Sequence, residues 1–88
     1  MNIKYSKIKK IFSQNTNTNI DIKSDKSYCN FRVILEDKPA EIYFQENKKQ
    51  FVFRNSDTDL EIYHSISKQN MYAELQNFIH KIKVEGHI

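Results

Sequence analysis

Glycine and proline are almost missing from this sequence, with Gly86 and Pro39 the sole examples in 88 residues. That scarcity excludes collagen-like and low-complexity chains, and it removes the glycine-rich loops that cradle phosphates. Cysteine is equally scarce. Cys29 stands alone, so no intrachain disulfide can form, whereas small secreted domains usually rely on several. No apolar run reaches the length of a membrane span, and the lysine-rich start proceeds only to Ile11-Phe12 before turning polar at Ser13-Gln14-Asn15, unlike a signal peptide. There is no N-glycosylation sequon and no prenylation box, and Asn2 stands where myristoylation needs a glycine. The sequence therefore predicts a cytoplasmic protein with no membrane association.

Catalytic groups are thin on the ground. Cys29 with His64 is the one nucleophile–base pair on offer, but Cys29 falls among apolar strand positions, without a cation or helix N-terminus to activate its thiol. Asp57, Asp59 and Glu61 alternate as oxygen ligands for a hard cation would, yet a calcium loop starting at Asp57 needs a glycine and a glutamate where the chain has Ile62 and Lys68. His64, His80 and His87 lack metal-ligand spacing and read as surface or boundary residues. No enzyme, metal or cofactor is expected.

What is present is a small globular composition, 39% hydrophobic and 12% aromatic. A chain of this length buries only about 60–65% of its unfolded surface, enough for one modest core. Ile, Asn, Lys, Phe, Tyr and Met make up roughly half of it, well above ordinary usage. These are residues of AT-rich codons, which suggests a low-GC bacterium, its plasmids or its phages. The net charge of +3 is mildly basic, and twelve of the fourteen cations are lysine.

Hydrophobic periodicity places the elements. Tyr5, Ile8 and Phe12 recur with helical spacing, predicting a short basic amphipathic helix over 1–12 whose other surface carries Lys4, Lys7, Lys9 and Lys10. Residues 13–19 contain no apolar side chain and read as a polar loop. From 20 to 64 the period is two, in runs of four to eight residues broken by polar turns, which predicts an antiparallel meander of four to five strands. Residues 67–85 return to the helical period with Met71, Leu75, Phe78, Ile79 and Ile82 on one stripe, Ser67 or Ser65 as N-cap and Gly86 as the C′ residue. The expected fold is a single α+β domain over 1–88, with the long C-terminal helix packed on one face of the meander.

Strand alternation sorts the side chains onto two faces. Phe31, Val33, Leu35, Ala40, Ile42, Phe44, Phe51, Phe53, Leu60 and Ile62 fall with Ile20, Ile22 and Cys29 on the core face. The other face receives Tyr28, Tyr43 and Tyr63 together with Arg32 and Arg54, the only two arginines of the chain. Tyrosine and arginine pair large rigid contact area with directional donors and are enriched at interface hot spots. Two plainer readings of this face are cover by the N-terminal helix and ordinary solvation. The leading functional reading is a small non-enzymatic protein-binding module, of the kind a phage or mobile element uses as a stoichiometric inhibitor or accessory factor. Its contact patch would be Tyr28, Arg32, Tyr43, Arg54 and Tyr63, and the interleaved Glu41 and Glu61 favour a protein over a polyanion. The alternatives are a nucleic-acid-binding domain, with the tyrosines stacking on bases and Lys4, Lys7, Lys9 and Lys10 meeting phosphates, and a homodimer or assembly subunit joined by the second face or an open sheet edge.

Overall fold

The computed structural model describes residues 3–24, 31–67 and 70–88. Tyr28 and Cys29 lie outside the described residues. The described chain forms α1 (Tyr5–Asn15), β1 (Ile20–Ser24), β2 (Phe31–Leu35), β3 (Ala40–Gln45), β4 (Gln50–Asn55), β5 (Leu60–Ser65) and α2 (Met71–Val84). The five strands pair antiparallel in chain order, an up-and-down meander with β1 and β5 at its edges.

Three four-residue turns, 36–39, 46–49 and 56–59, set the registers Leu35↔Ala40, Gln45↔Gln50 and Asn55↔Leu60. With no glycine to spare, two of them close on left-handed residues that carry side chains, Lys49 at φ 51° and Asp59 at φ 57°. The last turn is further held by Asn55, whose Oδ1 accepts from the backbone N–H groups of Asp57 and Thr58 at 2.9 and 3.2 Å.

Because the registers are regular, side chains line up in rows across the sheet. On the core face Phe31, Phe44, Phe51 and His64 are consecutive cross-strand partners, with ring centroids 5.6 Å apart for the first pair and 5.3 Å for the second. Phe78 of α2 stacks on this row, 6.3 Å from Phe51 and 5.3 Å from His64. A second row runs Ile22, Val33, Ile42, Phe53 and Ile62. The sorting by alternation is borne out for Phe31, Val33, Leu35, Ala40, Ile42, Phe44, Phe51 and Phe53, all buried in one cluster. Leu60 is the exception: it starts the edge strand at a corner of the sheet and is left 38% exposed.

Both helices cover this same face. Ile8, Ile11 and Phe12 of α1 and Leu75, Phe78, Ile79 and Ile82 of α2 join the strand residues in one core. They run in the same sense. The Tyr72 hydroxyl near the start of α2 accepts from Lys4 N at 2.9 Å, and Thr16 to Thr18 after α1 lie near Lys83 and Ile88 at the other end. The N-terminal helix therefore packs beside α2 and does not cover the tyrosine face.

The helix limits differ from the sequence expectation for identifiable reasons. α1 runs on through Asn15, because Ser13 Oγ, Asn15 Nδ2 and Thr16 Oγ1 donate to the carbonyls of Lys10, Ile11 and Phe12 at 2.9, 2.7 and 2.9 Å. Residues that signalled a loop instead satisfy the last helical carbonyls. α2 begins later than 67, at Met71. Its N-cap is Asn70, whose Oδ1 accepts from Ala73 N at 3.2 Å, while Ser67 N donates to Glu74 Oε2 at 3.4 Å. The C-terminus is as predicted: Gly86 at φ 83° closes a Schellman motif, with His87 N donating to Ile82 O and Gly86 N to Lys83 O.

Candidate functional site

The face opposite the helices is a ladder of polar and aromatic side chains. Lys23, Arg32, Tyr43, Val52 and Tyr63 are consecutive cross-strand partners, and Asp21, Ile34, Glu41, Arg54 and Glu61 form the parallel row. No described helix lies over it. Its charges answer one another. Lys23 Nζ is 3.3 Å from Asp21 Oδ2, and Arg32 Nη1 is 3.6 Å from Glu41 Oε2. Arg54 sits between two carboxylates, with Nη2 3.3 Å from Asp59 and Nε 3.9 Å from Glu61. Each exposed pair contributes little stability, about 0–1 kcal/mol, but together they fix where the guanidinium groups sit. Asp57 apart, the carboxylates that alternated like cation ligands in the sequence are thus turned toward Arg54.

Of the five residues assigned to the patch, four are described, and their exposures divide them. Arg32 and Arg54 are partly accessible. Tyr63 is 54% exposed, and its hydroxyl donates to Glu61 Oε1 at 2.9 Å. The Glu61 carboxylate accepts that proton and repels the phenolate, so the Tyr63 hydroxyl titrates above the usual tyrosine value. Tyr43, by contrast, is only 8% exposed and packs against Val52, which has no accessible surface at all. A valine sealed on the uncovered side of a sheet was not foreseen from alternation. It follows from the register, which flanks Val52 with Tyr43 and Tyr63 across the strands and with Gln50 and Arg54 along its own. Next to it the Gln50 amide donates to Gln45 Oε1 at 2.6 Å.

Lys4, Lys7, Lys9 and Lys10 lie elsewhere. Lys4, the N-cap residue, and the other three on α1 are exposed, in the helical layer on the core side of the sheet. A helix of roughly 10 Å diameter and the sheet itself separate them from Tyr43 and Tyr63. Among the described residues, Tyr43 and Tyr63 therefore do not share one surface with these lysines. His64 ends the phenylalanine row, half-buried against Phe78, with Nε2 3.6 Å from Glu74 Oε1. His87 lies 5.8 Å from the Phe53 ring, and His80 is exposed on α2. Neither described helix is long and apolar enough to cross a membrane.

The feature that sequence reasoning missed is the internal pairing of the patch. The signal was available, since turn lengths fix Glu41, Arg54 and Glu61 in one row once the register is known. No protein family matches this chain, and no curated protein or solved structure matches it.

Proposed function

We propose that this chain is a non-enzymatic protein-binding module whose partner docks on the open sheet face around Tyr63 and Arg54. One observation carries the reading: both helices pack on the other side, leaving an aromatic and a guanidinium accessible above a sealed Tyr43–Val52 base. Such a surface is pre-organised, because the ion pairs hold the arginine forks and the sheet holds the tyrosine. Less ordering entropy is then lost on binding. Accessible tyrosine and arginine supply the anchors, and Glu41 and Glu61 supply acceptors for a partner's donors. The alternating charges give the face almost no net sign, which suits a mixed protein surface better than a polyanion.

Tyr43 supports the site from beneath, so the informative variant is Tyr63→Ala with Arg54→Ala. Both side chains are accessible, and circular dichroism of the double variant should match the parent. Affinity capture from a lysate of the source cell, run in parallel with parent and variant, should enrich a partner on the parent alone. Equal enrichment by the folded variant would remove the open face as the site. Loss of fold would show that these side chains belong to the scaffold.

A further inference from the structure

The outer surface of the helical layer carries cations without carboxylate partners. Lys4 at the N-cap of α1, Lys7, Lys9 and Lys10 on α1 and Lys81 and Lys83 on α2 are all exposed, and none forms an ion pair among the described residues. The two acidic residues of these segments are engaged otherwise, Glu74 with His64 and Ser67 N and Glu85 with His87. On the open face, by contrast, Lys23, Arg32 and Arg54 are each paired. The described helical segments thus hold six lysines against two glutamates, while the described residues of the sheet and its turns hold six cations against eight carboxylates. A chain of modest net charge is divided into a basic layer and a mildly acidic one.

Between the helices runs an open groove of about 390 Å³. Lys7, Lys10 and Gln14 form one wall, and Asn70, Tyr72 and Gln76 the other. The Lys7 ammonium sits 5.0 Å from the centre of the Tyr72 ring, which holds its charge at the groove mouth.

We propose that this lysine-bearing side of the helical layer docks nucleic acid through its phosphates, without reading base sequence. Mobile ammonium groups and side-chain amides are the usual partners of phosphate and sugar oxygens. An acidic protein is a poorer match. Protein interfaces centre on buried aromatic or apolar anchors, and the large apolar side chains exposed here, Tyr5 and Val84, lie at opposite ends of the layer. A lipid surface is poorer still, because Ile8, Ile11 and Phe12, the apolar stripe that would insert, are buried in the core. The inference is independent of the protein-binding reading, since the two surfaces lie on opposite sides of the sheet.

The test is fluorescence anisotropy with labelled 20-base-pair duplex and single-stranded DNA of the same length, titrated from low to physiological salt. The longest dimension of the molecule is 29 Å, so one protein covers about eight base pairs at 3.4 Å each and the probe exceeds its footprint. With six lysines engaged, the log–log salt slope should be about −5 on the duplex and about −4 on the single strand, at about 0.9 and 0.7 per neutralised phosphate. Lys7→Glu with Lys10→Glu should weaken it at least tenfold and flatten the slope by about two. Lys81→Glu with Lys83→Glu gives a second variant, remote from the Tyr72 contact. Arg54→Glu, on the far face, should leave the affinity unchanged. No binding by the parent at 50 mM salt, an equal loss in Arg54→Glu, or equal affinity for polyglutamate or for vesicles of anionic lipid would each overturn the proposal.

Discussion

Val52→Thr probes whether the open face is a bare solvated sheet or a sealed surface. Threonine has nearly the shape of valine and an equally good strand propensity, so the change isolates burial. Val52 has no accessible surface. Exchanging one of its methyls for a hydroxyl forfeits about 0.8 kcal/mol of apolar transfer. Burying that hydroxyl costs about 1–3 kcal/mol more. The expected loss is about 2–4 kcal/mol, which for a domain of this size lowers Tm by about 8–30 °C. Ile34→Thr is the control. Ile34 lies on the same face in β2 but is only half-buried, so its hydroxyl reaches water and the cost stays below about 1 kcal/mol. Urea unfolding followed by circular dichroism measures both, with an unchanged m-value showing that stability alone has moved. If Val52→Thr lies within about 0.5 kcal/mol of the parent, Val52 is wetted in solution. The sealed base on which the docking argument rests would then be wrong.

Several local devices make predictions of their own. Glu61→Ala should lower the titration midpoint of Tyr63 toward the ordinary tyrosine value, seen as phenolate absorbance against a Tyr63→Phe reference. The sign follows from the raised value in the fold: Tyr63's contribution to stability is whole below the unfolded value near 10 and declines as pH rises through the folded one. An unmoved midpoint would dissociate Tyr63 from Glu61. Asn70→Ala removes the cap on Ala73 N and should cost about 1 kcal/mol, whereas Ser67→Ala should fall within about 0.5 kcal/mol of the parent; the reverse order would return the cap to Ser67. Lys49→Gly should stabilise by up to about 1 kcal/mol, because φ 51° strains a residue bearing a Cβ. Destabilisation there would mean that the turn relaxes in solution. Light scattering at high concentration should report a monomer; a dimer would point to the open edges β1 and β5.

The amino-acid sequence by itself determined the kind of fold. An alternating run cut by short polar turns leaves antiparallel neighbours as the only economical pairing, and the stripe from Met71 to Ile82 needs a core to lie on. Period two also settled which strand residues face inward, because a one-residue slip would turn the strand phenylalanines out. Gly86 marked the end of α2 because a left-handed C′ residue favours the one side chain without a Cβ. Sequence was weaker where one residue type serves two purposes. Ser13, Asn15 and Thr16 resemble a loop until their side chains are seen bonding α1's last carbonyls, and Ser67 resembles a cap until Asn70 is seen making the bond. Only the tertiary structure decided where α1 goes. Its stripe of Ile8, Ile11 and Phe12 fits either side of the sheet, and nothing local in those residues encodes a choice that rests on space beside α2. That one placement bares Arg54 and Tyr63 and carries the lysines to the opposite side. It follows from packing between segments more than fifty residues apart, and no local pattern contains it.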